Sequence, residues 1–305
     1  MRESIPVQVS PEAEPNDGRK ELLNRAVYCA FDFDPRTHKF LGLCIGGYDK
    51  GESQEYATFN NDCRHSLKGI LLASNLGLGL DNVVIISPRE NLTSEKIKEK
   101  LLFIKDRIRE EPLIAFFLII IGHQPMDMPT GNHLFRVGDN SYVEMNDVKE
   151  IVNELNYCPL IYTIKDMCSA ARFNLLPDSD SVGNSDKIRV QWSSCQEGGK
   201  SYRSPVIDGR LFSQCLAMGI ARSDRCFARS DQCPNNETNC NICYVYQRLS
   251  SGKPSYRLLQ YFIYEHMLSI TGVENNVDLP VLEINGENFF PDNYTGINVD
   301  LDCLR

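Results

Sequence analysis

Two stretches decide the fold: Ile114-Ala-Phe-Phe-Leu-Ile-Ile-Ile121-Gly-His123-Gln124 and Leu160-Ile-Tyr-Thr-Ile-Lys-Asp166-Met-Cys168. Each apolar run has the length and the branched and aromatic content of a strand buried on both faces. Each ends in a polar residue suited to catalysis. The carboxyl ends of strands in an α/β sheet are where such folds place their ligands. Parallel neighbours in one sheet bring His123 and Cys168 together although 45 residues separate them. A cysteine beside a histidine is the minimum machinery for a thiolate nucleophile.

Outward from these strands, residues 39–47 and 82–87 read as two further buried strands. Between them, Asp62 to Leu80 predicts a helix from the spacing of Leu67, Ile70, Leu71 and Leu72, closed by Gly77 and Gly79. Thr93 to Glu110 predicts an amphipathic helix capped by Asn91 or Thr93. A turn-rich stretch runs from His123 through Asp139, and Glu144 to Leu155 predicts a third helix. The alternation defines an α/β fold, a central mostly parallel sheet flanked by helices on both faces.

Past Cys168, residues 174–187 form a polar linker. A strand follows at Ile188–Ser194, then a glycine-bearing loop over Cys195–Arg203. Helical spacing marks Leu211–Ala221 and Tyr256–Ile270, and a last strand covers Leu279–Ile284. Residues 222–255 read as an irregular, cysteine-bearing insertion, and residues 1–20 as a disordered leader.

The 305-residue chain is long enough for a substantial core, and 42% hydrophobic with 24% charged residues fits a soluble globular protein. A net charge of −9 speaks against nucleic acid and anionic membranes as partners. No apolar run approaches a membrane span, and the first residues lack a signal-peptide core, so the expected location is cytoplasmic, with the nucleus as the alternative. In that setting the twelve cysteines are expected as reduced thiols.

Taken in order, Gly122-His123, Asp166-Met-Cys168, Ser201-Tyr-Arg203, Asp208-Gly-Arg-Leu-Phe212 and Leu279-Pro-Val-Leu282 resemble the caspase-like cysteine peptidases. The resemblance runs over roughly residues 38–290. None of these motifs is specific alone; their order and spacing carry the likeness. It implies the caspase-like (caspase-hemoglobinase) fold, with residues 21–173 as the large-subunit-like part, 174–187 as the intersubunit linker and 188–305 as the small-subunit-like part. The acid two before Cys168 is like the paracaspase and metacaspase branches, whereas Ser201-Tyr-Arg203 is like the caspases, so the chain is an atypical member on this reading.

The implied chemistry makes Cys168 the nucleophile and His123 the acid–base partner. The backbone N–H groups of Cys168 and Gln124 would face the oxyanion. Gln124 stands where the family has glycine, Ala170 replaces the glycine two after the cysteine, and Ser169 replaces the arginine of caspases. Tyr202 and Arg203 would line the substrate cleft. Asp166, in place of the glutamine of caspases, would repel an acidic side chain and attract a basic one, with Glu197 or Asp62 as helpers. The rival reading is that Asp166 and Arg203 neutralise each other. The bland alternatives are a small buried thiol at Cys168, a satisfied histidine at His123 and solvated acids at Glu197 and Asp62.

In caspases, linker acids such as Asp178, Asp180 and Asp186 are processing sites; a basic-pocket enzyme would use Lys187 or Arg189 instead. Cys226, Cys233, Cys240 and Cys243 fall close together and are weak candidates for zinc: Cys240-Asn-Ile-Cys243 is knuckle-like but the other two depart from paired-knuckle spacing, and loop thiols or a disulfide are the alternatives. No cofactor is expected. The resemblance implies protein substrates, and limited proteolysis in cell death or immune signalling. It also implies a homodimer, or a heterodimer with a caspase-like protein, through an edge strand at 279–284. The other function class is a weak or inactive homologue that binds and regulates an active relative.

Overall fold

The computed structural model describes residues 39–47, 54–74, 76–87, 93–110, 112–138, 141–177, 187–205, 208–220, 256–271 and 278–289. The leader, most of the linker with Asp178, Asp180 and Asp186, and the insertion with its four cysteines lie outside the described residues.

The apolar run Ala115–Ile121 forms β3, with all seven residues buried. Its side chains alternate between two cores, as strand geometry requires. Ala115, Phe117, Ile119 and Ile121 face one core, and Phe116, Leu118 and Ile120 face the other. The run Leu160–Asp166, which is β7, pairs with it in parallel over its whole length. On the far side of β3 lie β1 (Phe40–Gly46) and then β2 (Val83–Ile86).

Beyond β7 come β8 (Ile188–Ser193), β9 (Val281–Ile284) and β10 (Glu287–Phe289), so the sheet order is β10-β9-β8-β7-β3-β1-β2. The first five strands in chain order of this sheet are mutually parallel; β9 and β10 run antiparallel to their neighbours. The sheet is the central, mostly parallel one expected from the sequence.

Helices cover both faces. On one, α1 (Gln54–Ala73), α4 (Leu211–Ile220) and α5 (Tyr256–Thr271) pack over Phe117, Tyr162 and Trp192. On the other, α2 (Ser94–Glu110) and α3 (Met145–Glu154) pack over Phe116, Leu118 and Ile161. The buried stripe of α2, Ile97, Leu101, Ile104 and Ile108, has helical spacing, and Thr93 Oγ1 accepts from the Lys96 N–H at 3.3 Å as its cap. None of the described helices is long and apolar enough to cross a membrane.

Several elements depart from the sequence reading. Helix α1 starts at Gln54 rather than Asp62 and ends at Ala73; a separate 3₁₀ segment follows over Leu76–Asn82, kinked where Gly79 takes a non-helical backbone. The turn-rich stretch after His123 contains β4 (Met126–Asp127) and β5 (His133–Arg136), which form a small antiparallel sheet with β6 (Tyr142–Glu144) just beyond it.

The expected edge strand at 279–284 is not an edge. Its core, Val281–Ile284, is paired on one side with β8 and on the other with β10. Asn285 and Gly286 both have positive φ, 51° and 84°, the requirement of a tight two-residue hairpin turn. Asn285 is also fixed to β8: its Oδ1 accepts the Arg189 N–H at 2.8 Å. Among the described residues the outer strand on this side is therefore β10.

Candidate active site

The register of β3 and β7 sets the site. Ile121 lies opposite Asp166, and the Gly122 N–H donates to the Asp166 carbonyl at 2.9 Å, extending the ladder past the strand end. Continuing that register places His123 and Cys168 at equivalent positions, each two residues beyond the last Cα pair. Gly122 is required where it stands. A Cβ there would lie 2.5 Å from the Gly47 Cα and 2.8 Å from the Phe135 ring. The next residue, His123, stands exposed past the carboxyl end of β3.

The His123 ring stacks on Phe59 of α1, with centroids 4.5 Å apart and planes 12° from parallel. Cys168 lies half-buried in a turn whose next residue, Ser169, is left-handed at φ 53°. The loop after β8 clamps that turn from both sides. The Met167 N–H donates to Ser194 Oγ at 3.2 Å, Ser194 Oγ donates to the Met167 carbonyl at 3.1 Å, and Cys195 Sγ donates to the same carbonyl at 3.3 Å. Further on, the Ser169 N–H reaches the Gly199 carbonyl at 2.9 Å and the Ala171 N–H the Cys195 carbonyl at 3.2 Å. Among the described residues, the N–H groups of Gln124 and Cys168 donate to no backbone carbonyl.

Tyr202 is half-buried, with its hydroxyl donating to Asp278 Oδ2 at 3.4 Å. Burial first and Asp278 next hold its phenol above the usual range, and Cys168 acts in the same direction, which sets Tyr202 in the field of the thiol.

Asp166 is enclosed. Its side chain is 0% exposed, Oδ1 accepts from Ser201 Oγ, and Oδ2 accepts from the Ser213 N–H at 3.1 Å and from Ser213 Oγ. Arg210 Nε stands 3.7 Å from Oδ1 and supplies the counter-charge. The expectation that Asp166 presents a carboxylate to a basic substrate side chain therefore does not hold in this structure: both oxygens are committed and no surface remains. Nor does Asp166 pair with Arg203. Arg203 Nε instead meets Asp62 Oδ2 at 2.9 Å, with the arginine side chain 55% exposed and the aspartate 4%. Burial raises the Asp62 carboxyl against the opposing pull of Arg203.

Glu197 is not gathered with Asp166 either. It lines a cleft of about 310 Å³ with Gln191, Ser193 and Glu283 on the opposite face of the sheet. No cluster of three metal-ligating side chains occurs among the described residues.

Two participants escaped the sequence reading. Arg210 lies inside the quoted Asp208–Phe212 motif, but only the fold shows that it compensates Asp166 and lies over the Phe59 ring, 5.4 Å from its centroid. Phe59 lies in the part of α1 left unread, and its ring touches both Arg210 and His123. The one phenylalanine of the stretch Gln54–Asn61 is the signal that could have been used.

Next to Asp166 on the strand, Lys165 points to the opposite face, is fully buried, and donates to the Phe173 carbonyl. Burial pulls its amine from 10.5 down to about 7. Below pH 7 folded and unfolded chains both hold the proton, and the burial cost is fully present. Between about 7 and 10.5 the unfolded chain binds more protons, so this group's contribution to stability rises with pH. The stability gained by Lys165→Met, measured by urea unfolding, is expected to be largest at or below pH 7 and to shrink toward pH 10. Buried thiols such as Cys44 and Cys63, both pushed up to about 12, titrate alike in both proteins and cancel in that difference.

Fold and site together define an α/β protein with a histidine and a cysteine on adjacent parallel strand ends. Comparison with solved structures finds similarity to insect caspases. Caspase-1 from Spodoptera frugiperda is similar over 81% of this chain and 88% of its own, at 12% identity and a TM-score of 0.46. The Drosophila initiator caspase Dronc is similar over 60% of this chain and 64% of its own, at 11% identity and a TM-score of 0.30. No family model matches the chain, and no curated protein does.

Proposed function

We propose that this chain is a caspase-like cysteine endopeptidase, with Cys168 as nucleophile and His123 as acid–base partner. The reading rests on one observation, the β3–β7 register that carries the two residues to equivalent positions past paired strand ends. The Cys168 sulfur attacks the peptide carbonyl carbon, and the Cys168 and Gln124 N–H groups receive the oxyanion. His123, having taken the thiol proton, gives it to the leaving amine as the C–N bond breaks, then takes a proton from the water that hydrolyses the thioester and so releases Cys168 as thiolate.

With Asp166 neutralised by Arg210, the exposed charge on the Ser201–Arg203 loop is the guanidinium of Arg203. The preferred residue before the cut is therefore acidic. Its carboxylate would meet the terminal nitrogens that extend past Asp62. Pairing with a caspase-like partner, on this reading, uses the outer strand β10 rather than β9.

Fluorogenic peptides that differ only at the residue before the cut test the preference. Asp peptides are expected to turn over at least about tenfold faster than Arg peptides, the effect of roughly 1.4 kcal/mol of charge recognition. Faster cleavage after Arg would refute the pocket reading and leave the dyad untouched.

A further inference from the structure

We propose that Asp127 is a positioning residue for the candidate dyad: paired with Arg172, it holds the chain that follows His123 against the turn that follows Cys168. This role presupposes the proposed His123–Cys168 dyad. Asp127 stands four residues after His123, and Arg172 four residues after Cys168, so the pair bridges the same two chain segments that carry the dyad. Arg172 Nη1 meets Asp127 Oδ2 at 2.9 Å. The Gly122 N–H already bonds the Asp166 carbonyl at the strand ends, and the ion pair joins the two segments again beyond the dyad.

Both oxygens of Asp127 are engaged. The β4–β5 hairpin sets Asp127 opposite His133, and His133 Nδ1 lies 2.9 Å from Asp127 Oδ1. The His133 ring meets Phe173 edge-on, with centroids 5.0 Å apart, and the Arg172 guanidinium lies 5.7 Å from the centroid of the same ring. Asp127, His133, Phe173 and Arg172 thus close a ring of contacts. Phe173 anchors that ring, because its side chain is buried in the core and its carbonyl accepts from Lys165 Nζ. The hydrogen bond from Arg172 first, and that of His133 after it, hold the Asp127 carboxyl below its usual range, so the pair is ionised at neutral pH.

Three residues separate each dyad position from the pair, 124–126 on one side and 169–171 on the other. With tethers that short, the spacing of the two segments at Asp127 and Arg172 bears on the spacing of imidazole and sulfur. Misplacing reacting groups by about 1 Å can cost about 100-fold in rate. Asp127 and Arg172 are themselves exposed, and exposed ion pairs add little to global stability. Losing the pair is therefore expected to cost reactivity at Cys168 rather than the fold.

Alkylation of Cys168 by iodoacetamide, located by mass spectrometry in the full chain, tests the role. The reagent needs no substrate cleft, so its rate reports the thiolate itself. The proteins compared are wild type, His123→Ala, Asp127→Ala, Arg172→Ala and the Asp127→Ala/Arg172→Ala double variant. Each single loss of the pair is expected to slow labelling at least about threefold, and the double variant no further, because the two residues act as one unit. A mere charge effect on the thiol would act in opposite directions, since one variant removes a negative charge and the other a positive one. Wild-type rates, opposite shifts or additive losses in these variants would overturn the positioning role while a slow His123→Ala keeps the dyad. An unchanged rate in His123→Ala would instead overturn the dyad, and the positioning role with it. Trp192 fluorescence in urea follows the fold of each variant. Slowing found only together with a lowered unfolding midpoint would assign the pair to stability and so also overturn the proposal.

Discussion

Arg210→Ala is expected to destabilise the protein by about 3–5 kcal/mol, the cost of leaving a buried charge without its partner. Asp166 is fully enclosed at the end of β7, and Arg210 is the cation set against it. The two serine hydroxyls and the Ser213 N–H satisfy the oxygens as hydrogen-bond acceptors but bring no charge. Arg210 also ties the loop to the site, since its Nη2 donates to the Ser201 carbonyl at 3.0 Å. Its loss therefore removes both the counter-charge and a strut of the Ser201–Arg203 loop. Trp192, the single tryptophan and fully buried, reports the unfolding by fluorescence. A second variant sharpens the assignment: Asp166→Asn added to Arg210→Ala should recover part of the loss, because the uncompensated charge is gone. A cost below about 1 kcal/mol would put the pair in the class of weak surface bridges.

Cys168→Ala is expected to abolish peptide turnover, and His123→Ala to lower kcat/KM by about 10²–10⁴-fold, the usual worth of a positioned acid–base group. The two effects should not add, since both residues act in one proton-coupled step. Neither position is structural in the sense that Asp166 is. His123 is exposed at the strand end, and Cys168 is half-buried in a turn held by backbone bonds at Ser169 and Ala171 and by the Ser194 hydroxyl at Met167. Both variants should therefore unfold near the wild-type midpoint, and the kinetic losses can be read as chemistry. Turnover surviving in Cys168→Ala would remove the nucleophile assignment.

The sheet was legible because its central strands, and the strand ends that carry His123 and Cys168, are written in contiguous residues. Ala115–Ile121 and Leu160–Asp166 are apolar on both faces, and that pattern alone orders them as central parallel strands. What surrounds the dyad was harder to read, because its bonds join distant parts of the chain. Asp166 meets Ser201 across 35 residues and Ser213 across 47, and no local pattern says that a carboxylate will be enclosed rather than open. The same holds for Arg203, whose partner Asp62 sits on α1. The β9–β10 hairpin is a different case. Asn285-Gly286 is a strong turn signal, and the strand beyond it is only three residues long, too short for its own periodicity to stand out. Reading the turn would have moved the sheet edge from β9 to β10.

The central claim is that His123 activates Cys168. The most direct measurement is labelling by an acyloxymethyl ketone peptide ending in Asp, with the modified residue located by mass spectrometry in wild type and His123→Ala. The account predicts labelling at Cys168, slowed at least about tenfold in the variant, as expected when a thiolate loses its adjacent partner. Equal rates in the two proteins, or labelling of another cysteine in place of Cys168, would contradict it.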